Sequence, residues 1–293
     1  MIETLSQGSA DDHMDEQFLL ELSEMIARHP WWQARAKLTL GLLDRLDIVA
    51  PSRVLDAGCG WGVTLSALER AGFVTTGLDV SRKGLERLDR DGRRLIEADL
   101  TQPFDDRTET FDAVLALDVI EHLDDDSAAV KNLAKLVKPG GVLIVSVPAL
   151  PEMWSEFDTI QGHRRRYDPK ILRAAFAECG LDDPEIMWWG EWLAGRLKAS
   201  RSKPRMKPGD SATQAYRRYL SLPRWPASLV IRAMFAAEQR RALKGKLAIG
   251  SSLFAYARKR PDQSAAVCDG LNSAQEHTRR PLASRPLNTT IKG

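Results

Sequence analysis

From residue 53 onward, short apolar runs alternate with stretches whose apolar residues recur at helical spacing. The runs 53–56, 74–79, 94–98, 111–117 and 142–147 read as strands. Several are apolar throughout, as parallel strands covered on both faces must be. Between the last two, Val130, Leu133, Ala134 and Val137 mark one face of a helix. It begins in the acidic stretch 124–126 and ends near Lys138, which suits the helix dipole, and Pro139-Gly140-Gly141 is expected to stop it. A later helix takes Asp168 as N-cap and Pro169 at its first position, with Gly180 past its end. Such alternation implies right-handed βαβ crossovers, hence an α/β doubly wound sheet.

The flanks read differently. Phe18, Leu19, Leu22 and Ile26 predict one helix, and Pro30 opens a second carrying Trp31, Trp32, Ala36, Leu38, Leu42 and Leu46. After the fifth strand, 185–192 reads as a sixth and 250–258 as a seventh. A long segment separates them, with a basic stretch at 198–207 and a helix around 229–243. The expected organisation is an N-terminal helical segment (1–48), a core (49–192), a helical cap insertion (193–248) and the last core strand (249–260). Residues 261–293, rich in Ser, Asn, Arg and Pro without period, are expected to be a disordered tail.

Composition narrows the function classes. The 293 residues are 43% hydrophobic and 28% charged, with a formal net charge of +2. No global field argues for a nucleic-acid partner. Cys59, Cys179 and Cys268 are too far apart for a disulfide framework or a zinc spacing, and no metal is expected. The polar, acidic start lacks a secretory pattern, and no run approaches a membrane span. These features predict a cytoplasmic protein. The basic stretch, with Leu229, Val230, Ile231, Met234 and Phe235, reads either as a solvated loop beside packed apolar positions or as a peripheral contact with an anionic membrane.

Chemistry concentrates in Val54-Leu55-Asp56-Ala57-Gly58-Cys59-Gly60-Trp61-Gly62. An apolar strand enters three glycines and then a helix bearing Val63, Leu65 and Leu68. Ligands of open α/β sheets sit at the carboxyl ends of the strands, where this loop lies. Its glycines are spaced G-x-G-x-G, unlike the dinucleotide fingerprint G-x-G-x-x-G. Asp56 would repel a pyrophosphate but welcome a zwitterionic or cationic ligand. Asp79, Asp99 and Asp118 end the next three strands. A single Asp at such a place is commonly a turn or cap residue. Four in register favour a site, with Asp79 accepting from ribose hydroxyls and Asp99 from an adenine amine.

The segments LDAGCGWG, GLDVS, EADL, FDAVLALDVIEHL and KPGGVLIVSVP together resemble class I S-adenosylmethionine-dependent methyltransferases of the small-molecule type. The resemblance spans 53–148. It implies a Rossmann-like seven-stranded sheet of order 3-2-1-4-5-7-6 with strand 7 antiparallel. It also implies that Asp56, Gly58, Gly60, Gly62, Asp79, Asp99, Leu100 and Asp118 hold S-adenosylmethionine. A second, looser resemblance is to bacterial methyltransferases found among cell-surface glycan genes. A WS…D…GHxRRY pattern follows strand five there, matched by Trp154, Ser155, Asp158 and Gly162 to Tyr167, and a W…R helix precedes the core.

The loop leaving strand five can reach the donor methyl. His163 and His122 are candidate general bases, because imidazole titrates near neutrality. His122 reads equally as a helix-start residue bonded to the fold. Arg165 and Arg166 suit a phosphate or carboxylate, or alternatively a salt bridge fastening the loop to Asp158. Trp154 and Tyr167 complete the substrate-binding set. Trp188, Trp189 and Trp192 read as packing or as ligand stacking. The expected function is methyl transfer from S-adenosylmethionine to a small or lipid-linked metabolite, at oxygen. The alternatives are a non-catalytic sensor of S-adenosylmethionine and a nicotinamide dehydrogenase. Asp118-Val119-Ile120-Glu121 is not the Asn/Asp-Pro-Pro-aromatic motif of nucleic-acid and protein amine methylation. Oligomeric state is open.

Overall fold

The computed structural model describes residues 2–6, 21–90, 92–104, 109–200, 207, 209–221 and 227–260. The predicted tail lies outside the described residues, as do Phe18, Leu19 and most of the basic stretch. Elements follow in the order β1 (Ile2–Thr4), α1 (Ser23–Arg28), α2 (Pro30–Arg45), β2 (Arg53–Ala57), α3 (Val63–Arg70), β3 (Val74–Asp79), α4 (Arg82–Leu88), β4 (Arg94–Glu97) and β5 (Phe111–Leu117). Then come α5 (Asp126–Lys135), β6 (Val137–Pro148), α6 (Glu156–Ile160), α7 (Pro169–Ala175), β7 (Glu185–Trp189), α8 (Glu191–Ser200), α9 (Ala212–Leu220), α10 (Ala227–Leu243) and β8 (Ser252–Arg258).

The sheet order is β1-β4-β3-β2-β5-β6-β8-β7. Every pairing is parallel except those of β8, which runs antiparallel to both β6 and β7. From β4 to β7 this is the expected seven-strand order. The correction is an eighth strand: β1 pairs in parallel with β4, Ile2 opposite Leu95 and Thr4 opposite Glu97. A three-residue strand with two polar residues has no period to betray it. Only its partner makes it a strand.

Two apolar layers cover the sheet, and the strands supply both by alternation. On β5, Val114 and Ala116 face one layer while Ala113, Leu115 and Leu117 face the other. β8 splits likewise, Leu253, Ala255 and Ala257 against Phe254 and Tyr256. Ala129, Val130 and Leu133 of α5 and Leu172 of α7 close the first face. Leu38, Leu42 and Leu43 of α2 and Phe235 and Ala242 of α10 close the second. Burying a Leu side chain stabilises by about 1.5–3 kcal/mol, so these helices are held by their apolar faces more than by propensity.

Caps set where the helices begin. Asp168 accepts from the Ile171 amide at 2.7 Å with Pro169 at the first position, as expected, and Asp125 accepts from Ala128 at 2.9 Å. The end of α5 differs from expectation. It stops at Lys135, and Pro139-Gly140-Gly141 lies inside β6 instead of terminating the helix. The pairing with β5 shifts register between Phe111 and Ala113. A Cβ on Gly141 would stand 2.8 Å from the Asp112 carbonyl oxygen, so the irregular stretch brings backbone against backbone where no side chain fits.

Candidate active site

At the carboxyl ends of β2, β3 and β5 the strands open onto a cavity of about 740 Å³. The glycine loop forms its floor. Gly58 (φ +72°) and Gly60 (φ +47°) take left-handed backbone, and a Cβ on Gly58 would lie 2.4 Å from a Val119 methyl. Asp79 fastens the loop: Oδ2 accepts from the Gly60 amide at 2.8 Å and Oδ1 from the Ser81 amide at 2.9 Å. One carboxylate thus ties the end of β3 to the loop after β2.

Asp56, Gly58, Gly60, Asp79, Leu100 and Asp118 all line the cavity. Two other positions implied by the resemblance do not. Gly62 caps α3 in left-handed backbone (φ +71°), and the space for a Cβ is filled by Leu88. Its glycine serves helix packing. Asp99 is buried, but its Oδ1 accepts from both the amide and the hydroxyl of Thr101 at 2.8 Å. That local turn engages the carboxylate, and the neighbouring Ala98 and Leu100 line the cavity instead.

The buried carboxylates are unequal. Asp56 is 3% exposed, and its Oδ2 meets no hydrogen-bond partner. Burial foremost, opposed by Arg35 and reinforced by Asp79, pushes its pKa up to about 7. Asp118, with left-handed backbone (φ +56°), pairs with Arg35 and accepts from the Ser146 hydroxyl at 3.2 Å. Arg35 comes from α2, whose Trp31 and Trp32 also reach the cavity. A helix that precedes the core thereby contributes to the site.

The short turn Ile120–His122 after β5 and the loop after β6 bring His122 and His163 together, ring centroids 4.9 Å apart and nearly perpendicular. The His163 Nδ1 lies 3.1 Å from Asp158 Oδ1, and its Nε2 lies 3.2 Å from the Gln161 amide nitrogen. Asp158 is fully buried and also accepts from Ser155 and from Arg166 Nη1 at 2.6 Å. Glu121, between Asp118 and His122, is fully buried too, and burial first, then Asp118, raises its pKa well above the usual carboxylate range.

Of the four residues assigned to the acceptor, three lie outside the cavity lining and Arg166 takes the loop-fastening alternative. Arg166 touches the cavity, but its Nε donates to the Ala149 and Leu150 carbonyls at 2.8 and 3.1 Å while Nη1 holds Asp158. It fastens the loop, the alternative reading of the pattern. Arg165 turns to the start of α5, donating to the Asp124 carbonyl at 2.7 Å and pairing with Asp126 at 3.0 Å. Tyr167 is fully buried with its hydroxyl donating to Asp126 at 2.8 Å, and Trp154 is 44% exposed. None of these last three lines the cavity. A GHxRRY stretch looks like anion-binding chemistry in one dimension, yet its ion-pair partners come from 124–126 and 158 and use it up.

Aromatic residues that sequence reasoning left unassigned build the remaining walls. Trp61, Phe157, Tyr216 and Tyr219 line the cavity, with Phe157 and Tyr216 stacked at 5.3 Å. Trp192 lines it against Phe235 at 4.9 Å, whereas Trp189 is fully buried between Trp31 and Phe235. Residues of α8, α9 and α10 thus reach over the carboxyl edge of the sheet. Among the described residues no helix is long and apolar enough to cross a membrane.

A family model described as a methyltransferase domain matches residues 31–185. An ubiquinone biosynthesis O-methyltransferase of Paracidovorax citrulli is 29% identical over 185 residues, 58% of this chain and 72% of that protein. One of Vibrio cholerae is 29% identical over 154 residues, 47% of this chain and 62% of that protein, so less than two thirds of that relative is matched. Among solved structures, a chain of a Haloferax volcanii complex between a methyltransferase activator and a methyltransferase superposes with a TM-score of 0.53 at 19% identity, covering 84% of this chain and 95% of that one. A Thermotoga maritima S-adenosylmethionine-dependent methyltransferase gives 0.51 at 14% identity, covering 85% and 100%. These likenesses concern the fold.

Proposed function

Because the chain belongs to the methyltransferase-domain family, and is an enzyme drawing its methyl group from S-adenosylmethionine, we propose that it delivers that methyl to an oxygen of a small acceptor with a large apolar part. The observation that carries this reading is the cavity. It joins the glycine loop, the aromatic walls and the Glu121, His122 and His163 cluster in one space of about 740 Å³. That lies within the range of about 300–1,000 Å³ common for small-ligand pockets. The names of the relatives in Paracidovorax and Vibrio support oxygen as the acceptor atom.

In this reading Asp56 faces the ammonium of the donor's methionine part, and Asp79 holds the loop against which the donor lies. Leu100 and Ala98 flank its base. The sulfonium already makes the methyl electrophilic, so alignment does most of the work, worth up to about 7–11 kcal/mol. A hydroxyl acceptor must also lose its proton, and in this reading the histidine pair assists at that oxygen. Trp61, Phe157 and Tyr216 offer an apolar bed for a lipid-linked tail. Leu229, Val230 and Met234, all exposed on α10, supply an apolar patch through which such an acceptor could be taken from a membrane surface.

The test uses methyl-labelled S-adenosylmethionine with prenylated catechols, lipid-linked glycans and small polar hydroxy compounds. Label should enter an ether of the apolar-tailed pool. Replacing His163 by Ala should slow transfer while donor affinity, measured by calorimetry, stays unchanged. Donor binding with no transfer to any pool would make the chain a sensor. Transfer confined to amines would overturn the oxygen reading.

A further inference from the structure

Glu121 sits fully buried in the wall of the cavity, and neither of its carboxylate oxygens meets a hydrogen-bond partner. A buried carboxylate in that state is costly unless a positive charge reaches it. The two guanidinium groups whose charge it feels give their hydrogen bonds elsewhere. Arg35 donates to Asp118 and the Leu117 carbonyl, and Arg166 to Asp158 and two carbonyls.

His122 and His163 stand beside it. One ligand atom from each of Glu121, His122 and His163 lies within 4.8 Å of the other two. His163 is already oriented as a ligand. Its Nδ1 faces Asp158, a carboxylate that only accepts, so Nδ1 carries the hydrogen and the lone pair sits on Nε2. The Gln161 amide nitrogen, 3.2 Å away, donates to that lone pair. Metal-binding imidazoles likewise have one nitrogen held by a carboxylate, and here the Gln161 contact gives way when Nε2 takes an ion.

The geometry points to a divalent-cation site: Glu121, His122 and His163 bind one first-row divalent ion of the Zn²⁺ or Mn²⁺ kind on the cavity wall. Two imidazoles and one carboxylate suit such ions, whereas Mg²⁺ and Ca²⁺ prefer oxygen donors throughout. Three protein ligands leave coordination positions open to the cavity. The chemistry this supplies rests on the oxygen-acceptor reading, though the binding itself does not. An acceptor hydroxyl on an open position is acidified and releases its proton to water. Its oxygen lone pair then forms the new O–CH₃ bond as the S–CH₃ bond breaks. The S–CH₃ electron pair stays on sulfur, leaving a neutral thioether and a methyl ether.

The full chain, treated with chelator and dialysed, is titrated with Co²⁺ while visible ligand-field absorption is followed, and Zn²⁺ is used to displace it. One Co²⁺ per chain is expected, lost on addition of Zn²⁺. Glu121→Gln and His163→Ala should each weaken Co²⁺ binding by at least about tenfold, since even partners behind the ligands are worth about 10–100-fold. Circular dichroism and S-adenosylmethionine affinity establish that each variant is folded, and His122→Ala serves where either is not. A folded wild-type chain that binds S-adenosylmethionine but gives no Co²⁺ spectrum overturns the site, as does an unchanged spectrum in a folded Glu121→Gln. Stoichiometric Co²⁺ binding in a chain that methylates no hydroxyl acceptor would uphold the site and sink the oxygen reading instead.

Discussion

Arg35 and Asp118 join two segments 83 residues apart, with one guanidinium nitrogen, Nη1, donating to both the Asp118 carboxylate and the Leu117 carbonyl at the end of β5. The Trp31 ring lies 5.0 Å from the same guanidinium. Helix α2 therefore does more than cover the sheet. It supplies the counter-charge for one carboxylate of the site.

Removing that counter-charge should be felt twice. Arg35→Ala leaves Asp118 in a partly buried place with only the Ser146 hydroxyl, at a cost of about 1–3 kcal/mol. Denaturant unfolding should show the loss. Calorimetry should show weaker donor binding, because Asp118 lines the cavity. Full stability and affinity in the variant would reduce the pair to a surface ornament.

Donor affinity should depend on pH through Asp56. With its pKa near 7, the group is protonated below neutrality and must give up that proton to face an ammonium. Affinity should therefore rise about tenfold per pH unit on approaching pH 7 and level off above it. It should decline again near about pH 8, where an α-amino group loses its own proton. Calorimetry from about pH 5.5 to about pH 8.5 checks this, and Asp56→Asn should abolish the rising limb.

His29 makes a separate claim about stability. It caps α2 by accepting from the Trp31 amide at 3.2 Å, and burial foremost lowers its pKa to about 4. Its folded pKa lies below its unfolded value of 6.5, so the unfolded chain binds the proton first as pH falls. The contribution is fully present above about pH 6.5 and is lost on the way down to about pH 4, reaching about 2 kcal/mol by pH 5. Asp56 works in the opposite sense over the same range, so total stability alone does not isolate His29. The informative measurement is the difference between the wild type and His29→Asn, which keeps a capping acceptor but does not titrate. That difference should shift in the variant's favour as acid is added.

Arg166→Lys should lower thermal stability while sparing turnover per folded molecule. An ammonium cannot reach the Ala149 and Leu150 carbonyls and Asp158 together, and each lost buried bond to a charged group costs about 1.5–3 kcal/mol. Turnover that collapses at unchanged melting temperature would instead return Arg166 to the acceptor site.

The cavity floor was readable because its signals are local. Asp56, Gly58, Gly60 and Asp79 are fixed by one strand, one turn and the end of the next strand. Asp99 looked equivalent, yet Thr101, two residues on, captured its carboxylate. The acceptor half is assembled from distant pieces. Arg165 and Tyr167 read as site residues until Asp126, some forty positions upstream, supplied their partner. Glu121 was in plain view between Asp118 and His122, and the available signal was a carboxylate set in an otherwise apolar run. Trp61, Phe157 and Tyr216 have no shared period, so only the folded chain shows that they face one space. The fold was legible for the same reason as the donor loop: alternation along each strand and caps at each helix are short-range. β1 was not, because a strand of three residues is defined by its neighbour.

β8 lies between β6 and β7 although it follows both in the chain, with α8, α9 and α10 intervening. During synthesis the ribosome thus delivers the donor loop, the histidine pair and the cap before the strand that zips the sheet together. Until residues 252–258 emerge, β6 and β7 each present an unpaired edge, and an unpaired edge invites association with other chains. A nascent chain therefore cannot become competent piece by piece. The last strand acts as a completion signal, and any premature stop before it leaves β7 detached and the β6 edge open, with the Ser251 and Ser252 part of the cavity wall missing.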